Sequence, residues 1–130
     1  MKPLLNDNDI ITLFQKEFSS ILEKFEIYNL NIFEAKQSKA DHIWKPGCYV
    51  YWSPNKGPIK VGRSLSNSRK RALEHIRDNT GGIMKSLEDE SDAKLLLFNV
   101  KDEKNNHWVA AVEIFMELKL KPWIPSKRLG

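Results

Sequence analysis

The chain is poor in cysteine, in histidine and in long apolar runs, and each shortage removes a class of protein. Cys48 is the sole cysteine, so no internal disulfide forms and the disulfide-built secreted scaffolds are excluded. One thiol and three scattered histidines, His42, His75 and His107, give none of the close ligand spacings of a zinc site. No stretch approaches the roughly 18–20 apolar residues that cross a bilayer. The opening Met-Lys-Pro-Leu-Leu-Asn-Asp lacks a secretory apolar core. The expectation is a cytoplasmic protein with no membrane contact. Internal repeats, linkers and low-complexity tracts are lacking as well.

What is there suffices for one domain with a single core: 130 residues, 41% apolar and 29% charged. The net charge of +4 is modest, but it is unevenly spread. Lys56, Lys60, Arg63, Arg69, Lys70, Arg71 and Arg77 fall within one short stretch that holds a single acid, Glu74. Such a concentration fits either a solvated helix face or a footprint for a phosphate backbone.

Residues 47–62 organise the rest. Cys48–Trp52 and Ile59–Val61, rich in β-branched and aromatic residues, flank Ser-Pro-Asn-Lys-Gly-Pro. Proline presets φ and Gly57 tolerates positive φ, so this predicts a β-hairpin. Folding about the turn pairs Trp52 with Ile59, Tyr51 with Lys60 and Tyr49 with Gly62. Alternation then puts Tyr49, Tyr51 and Lys60 on one face, and Cys48, Val50, Trp52, Ile59 and Val61 on the other, apolar face.

Gly47-Cys48-Tyr49, ten residues, then Lys60-Val61-Gly62 resembles the signature of the GIY-YIG nuclease superfamily, closest to the branch whose second motif is of the Lys-Ile-Gly-Arg type. Downstream, Arg71-Ala-Leu-Glu-His75 is similar to that family's Arg/His helix, and Glu113 in Ala-Ala-Val-Glu-Ile-Phe matches its metal-binding glutamate. The resemblance covers roughly residues 47–121. It implies an α+β fold, a small three-stranded, mainly antiparallel sheet flanked by helices, and residues 47–130 as a nuclease-like domain. Residues 1–46 then form an N-terminal helical extension packed on it.

Within that extension, Ile10, Ile11, Phe14, Phe18, Ile21, Leu22 and Phe25 recur at helical spacing, predicting a helix over about 8–26. Its phenylalanine stripe serves either the core or a surface for a homodimer or partner protein. Ile27–Ala35 alternates partially, as an added edge strand would. Further on, residues 69–78 predict a helix with Arg71 and His75 one turn apart. Ala93–Val100 reads as a central strand, and His107–Leu120 as a helix with Glu113 at the edge of its apolar arc and Glu117 nearer solvent.

The resemblance implies a divalent-metal-dependent endonuclease hydrolysing DNA, with RNA not excluded. Either Tyr49 or Lys60 activates the water; a cationic neighbour would stabilise a phenolate, or cationic surroundings would depress the lysine. Arg71 and His75 stabilise the transition state. Glu113 alone holds one Mg²⁺ or Mn²⁺, whose other ligands are water and phosphate oxygens. Arg63, Lys56, Arg69, Lys70 and Tyr51 contact the nucleic acid. The five chemical residues are expected to share one pocket. The alternative is a non-catalytic nucleic-acid-binding module of the same fold.

Overall fold

Asn6 starts the first helix, α1 (Asp7–Glu17), by a reciprocal capping box. Its side chain accepts from the Asp9 N–H at 2.7 Å, and the Asp9 carboxylate accepts from the Asn6 N–H at 3.1 Å. The computed structural model describes residues 5–78 and 82–125, without the side chains of residues 78, 82 and 83. The expected long helix stops early. A 3-10 stretch, Ser19–Lys24, follows α1, broken at Ile21 with φ −130°. The phenylalanines still face one way: the Phe14 ring lies 5.2, 5.1 and 4.7 Å from those of Phe18, Phe25 and Phe98. All four rings are buried in the core, so this stripe is not a free surface for a dimer or partner.

The sheet has four strands, one more than expected. Strand β1 (Phe25–Asn31) pairs along its whole length, antiparallel, with β4 (Lys94–Val100). Between them in sequence come α2 (Ile32–Gln37), β2 (Gly47–Ser53), β3 (Gly57–Ser64), α3 (Ser68–Asp78) and α4 (Gly82–Ser86); α5 (Asn106–Leu120) comes last. The strand order is β1-β4-β2-β3, so β4 is interior, as its apolar run predicts. Residues 5–46 are thus no mere helical extension: α1 fills the core and β1 completes the sheet. Helix α2 was not expected, although Asn31-Ile-Phe-Glu34 is a second capping box.

Helices cover both faces. On one, α1 and α5 pack against Cys48, Val50, Trp52, Val61, Leu96 and Phe98. On the other, α2, α3 and α4 pack against Tyr49, Tyr51, Ile59, Leu95 and Leu97. Two covered faces explain why β4 has no polar alternation.

The hairpin forms with Gly57 at φ 71°. Tyr51 pairs with Lys60 and Tyr49 with Gly62, as expected, but Trp52 pairs with Pro58 instead of Ile59. Pro58 has no N–H for the ladder, and the register slips there by one residue. Ile59 consequently joins the tyrosine face, which corrects its assignment to the other. After α5, Lys121 turns left-handed at φ 47°, and the chain runs back parallel to β3, with the Ile124 N–H donating to the Ile59 carbonyl at 2.8 Å.

Candidate active site at the outer strand of the sheet

Both motif glycines are dictated by what lies on them. A Cβ on Gly62 would fall 2.5 Å from Tyr49 Cζ and 2.6 Å from its Oη, so the phenol of Tyr49 crosses the β3 backbone directly over Gly62. A Cβ on Gly47 would meet the Phe98 carbonyl at 2.7 Å and run into the Asn99 side chain. Asn99 is buried and saturated: it accepts from Ser68 Oγ at 2.6 Å and donates to the carbonyls of His42 and Ile43 at 2.8 and 3.2 Å. That node fixes the start of α3 against the sheet, and Asn67 caps the helix by accepting from the Lys70 N–H at 3.0 Å. A lone polar residue in the run Leu-Leu-Leu-Phe-Asn-Val signals such a node in the sequence. Gly62→Ala is expected to destabilise by about 1–3 kcal/mol. In a Gly62→Ala/Tyr49→Ala pair the loss should fall short of the summed singles by more than about 1 kcal/mol; additive losses in a denaturant titration would contradict the ring-on-glycine contact.

Helix α3 supplies the remaining groups on this face. The Tyr49 ring lies 6.0 Å from the His75 ring and 5.7 Å from that of Tyr51. Tyr49 is itself 2% exposed. Tyr51 is fully buried and donates to the Ala72 carbonyl at 2.6 Å. Burial, with Tyr49 adding and Arg71 opposing, pushes its phenol well above the ordinary tyrosine range. Tyr51 therefore stays a protonated tie between β2 and α3, which corrects its expected role as a nucleic-acid contact. Lys60, opposite Tyr51, is half-buried, while Arg71 is solvent-exposed and forms only a 3.9 Å pair with Glu74, too loose to matter for stability.

Glu113 does not join this group. It sits on α5, on the other side of the sheet, 3% exposed, with Arg63 Nε 3.5 Å from Oε1. Arg63 pairs across the hairpin with Cys48 and so points to the α5 face. Expected as a contact to nucleic acid, Arg63 instead counters a buried acid. Glu117, placed nearer solvent by the helical wheel, is also buried. Burial first, and then the charges of Glu113 and Glu117, raise the Cys48 thiol well above its usual range. The single shared pocket is thus corrected. Tyr49, His75 and Lys60 lie on one face and Glu113 on the other, and the two halves adjoin at consecutive residues of the outer strand, Gly62 and Arg63. A helical wheel cannot show this, because it fixes neither which face of the sheet a helix covers nor where the neighbouring strand ends.

Lys56 sits in the hairpin turn, where its carbonyl accepts from Trp123 Nε1 at 2.9 Å. Lys70 is exposed on α3, and Arg69 donates to the Ser38 carbonyl at 2.6 Å.

Among the described residues no group of three or more His, Cys, Asp or Glu side chains could hold a metal. The donor chemistry at Glu113 fits only a hard ion that takes few protein ligands. Glu113 would supply one carboxylate, and Glu117, one turn on and also buried, is the other acid of α5 on that face. The chain matches no family model, no curated protein and no solved structure.

Proposed function

We propose that the chain is a divalent-metal-dependent endonuclease of GIY-YIG type that hydrolyses DNA phosphodiesters at the outer edge of β3. The observation that carries the reading is the Tyr49–Gly62 contact. The tyrosine of the first motif and the glycine of the second meet as a cross-strand pair, with His75 beside the phenol.

In this reading Tyr49 or Lys60 takes the proton of the attacking water. His75, next to the phenol, passes or holds that proton, and Arg71, exposed to solvent, clamps the non-bridging oxygens. Glu113 would hold the ion, with Glu117 in support. Mg²⁺ or Mn²⁺ held there would supply neutralisation of the charge that develops on the reacting phosphate. Arg63 keeps the carboxylate oriented until substrate arrives.

Tyr49→Phe tests the reading, since it removes one oxygen and keeps the ring on Gly62. Plasmid nicking in Mg²⁺ should fall about a hundredfold, the scale of a lost general base. A change of only a few-fold would remove Tyr49 from the chemistry. The ion pair Arg63–Glu113 favours the rival, a non-catalytic nucleic-acid-binding module, because it gives the buried acid a structural use. Absence of nicking by the wild-type chain in either ion, with binding intact, would select the rival.

A further inference from the structure

Along α3, away from Arg71 and His75, runs a cleft of about 400 Å³. Its walls carry four cations, Lys36, Arg69, Lys70 and Arg77, and its floor is Leu73 and Ile76. Two acids, Glu74 and Glu88, also line it, so the cations outnumber them two to one. Trp44 lies beside the cleft, linked to its lining through Arg69, with its indole 45% exposed to solvent. Arg69 lies over that ring, 5.8 Å from its centroid, and is anchored by its bond to the Ser38 carbonyl. A guanidinium fixed in two ways covers one face of the indole and holds the ring in place, and the part left exposed is the platform for a base.

We propose that this cleft binds a single-stranded stretch of nucleic acid, with an unpaired base stacked on Trp44 and its phosphates along Lys36, Lys70 and Arg77. The inference rests on the nuclease reading for the class of ligand, and concerns a different surface. The charge is complementary to a phosphodiester chain. The volume is at the lower end of the roughly 300–1,000 Å³ of small-ligand pockets, suiting single nucleotides of a strand better than a duplex. An exposed aromatic beside cations is the chemistry by which unpaired bases are held, since in a duplex the base faces are already stacked.

The test uses the full chain, a short labelled oligothymidylate and fluorescence anisotropy in EDTA, so that nothing is cleaved. Trp44→Ala should weaken binding about tenfold or more, on the scale of one lost base stack, and Trp44→Phe should restore most of it. Lys36→Glu, on an exposed residue, should weaken binding and flatten its salt dependence. The inference is overturned if Trp44→Ala binds as wild type does, if matched duplex competes as well as the single strand, or if thymidine monophosphate competes equally per molecule. Plasmid nicking is scored separately. A wild-type chain that binds the oligonucleotide through Trp44 but never nicks loses the nuclease reading and supports the cleft. One that nicks, yet binds no more tightly than Trp44→Ala, loses the cleft alone.

Discussion

Glu113→Gln is expected to lower Mg²⁺-dependent nicking at least about a hundredfold while leaving DNA binding in place. The amide keeps the shape of the carboxylate and still offers Arg63 an acceptor, so little packing is lost. What disappears is the negative charge that would hold a hard cation, and lost electrostatic contacts to a developing charge cost on the order of a hundred- to a thousandfold in rate. Its burial sharpens the comparison: with 3% of Glu113 exposed, solvent does little to screen it. Two outcomes contradict the assignment. Full cleavage by the variant would mean that the acid holds no catalytic ion. Loss of cleavage together with a large fall in melting temperature would mean that Glu113 serves chiefly as the partner of Arg63, since breaking a buried pair is itself destabilising.

Phe14→Ala should cost about 3–5 kcal/mol, the range for truncating a buried aromatic side chain. For a domain of this size that is a fall of roughly 10–20 °C in melting temperature. Phe14 is fully buried, and its ring contacts join α1 to β1 through Phe25 and to β4 through Phe98. Removing it leaves a void where α1, β1 and β4 meet. A loss below about 1 kcal/mol by calorimetry would instead make residues 1–46 an appendage to an independent core.

Much of the scaffold is legible in the chain. Ser-Pro-Asn-Lys-Gly between two apolar runs specifies the hairpin, the unbroken run Leu95–Phe98 specifies an interior strand, and helical periodicity specifies α3 and α5. These are short-range signals: turn chemistry and the spacing of apolar residues act within a few positions of each other. The fourth strand is less legible. Phe25–Asn31 is half-buried and only partly alternating, because it lies at an edge with one neighbour.

The candidate site divides the same way. The pairing of Tyr49 with Gly62 and the stacking of Arg71 and His75 on one helix follow from the sequence, since both depend on local repeat geometry. The fate of Glu113 does not. Whether α5 covers the tyrosine face or its opposite depends on which apolar surface remains after α3 has docked, and that is a property of the whole sheet. The same holds for Trp44, an unremarked residue of a loop until Arg69, from a helix distant in sequence, closes over its ring. The sequence alone determined the hairpin, its glycines and the helices that flank it, because each is encoded by neighbours along the chain. Only the tertiary structure decided which side chains share a face and which become buried pairs, because burial is set by the packing of elements remote in sequence.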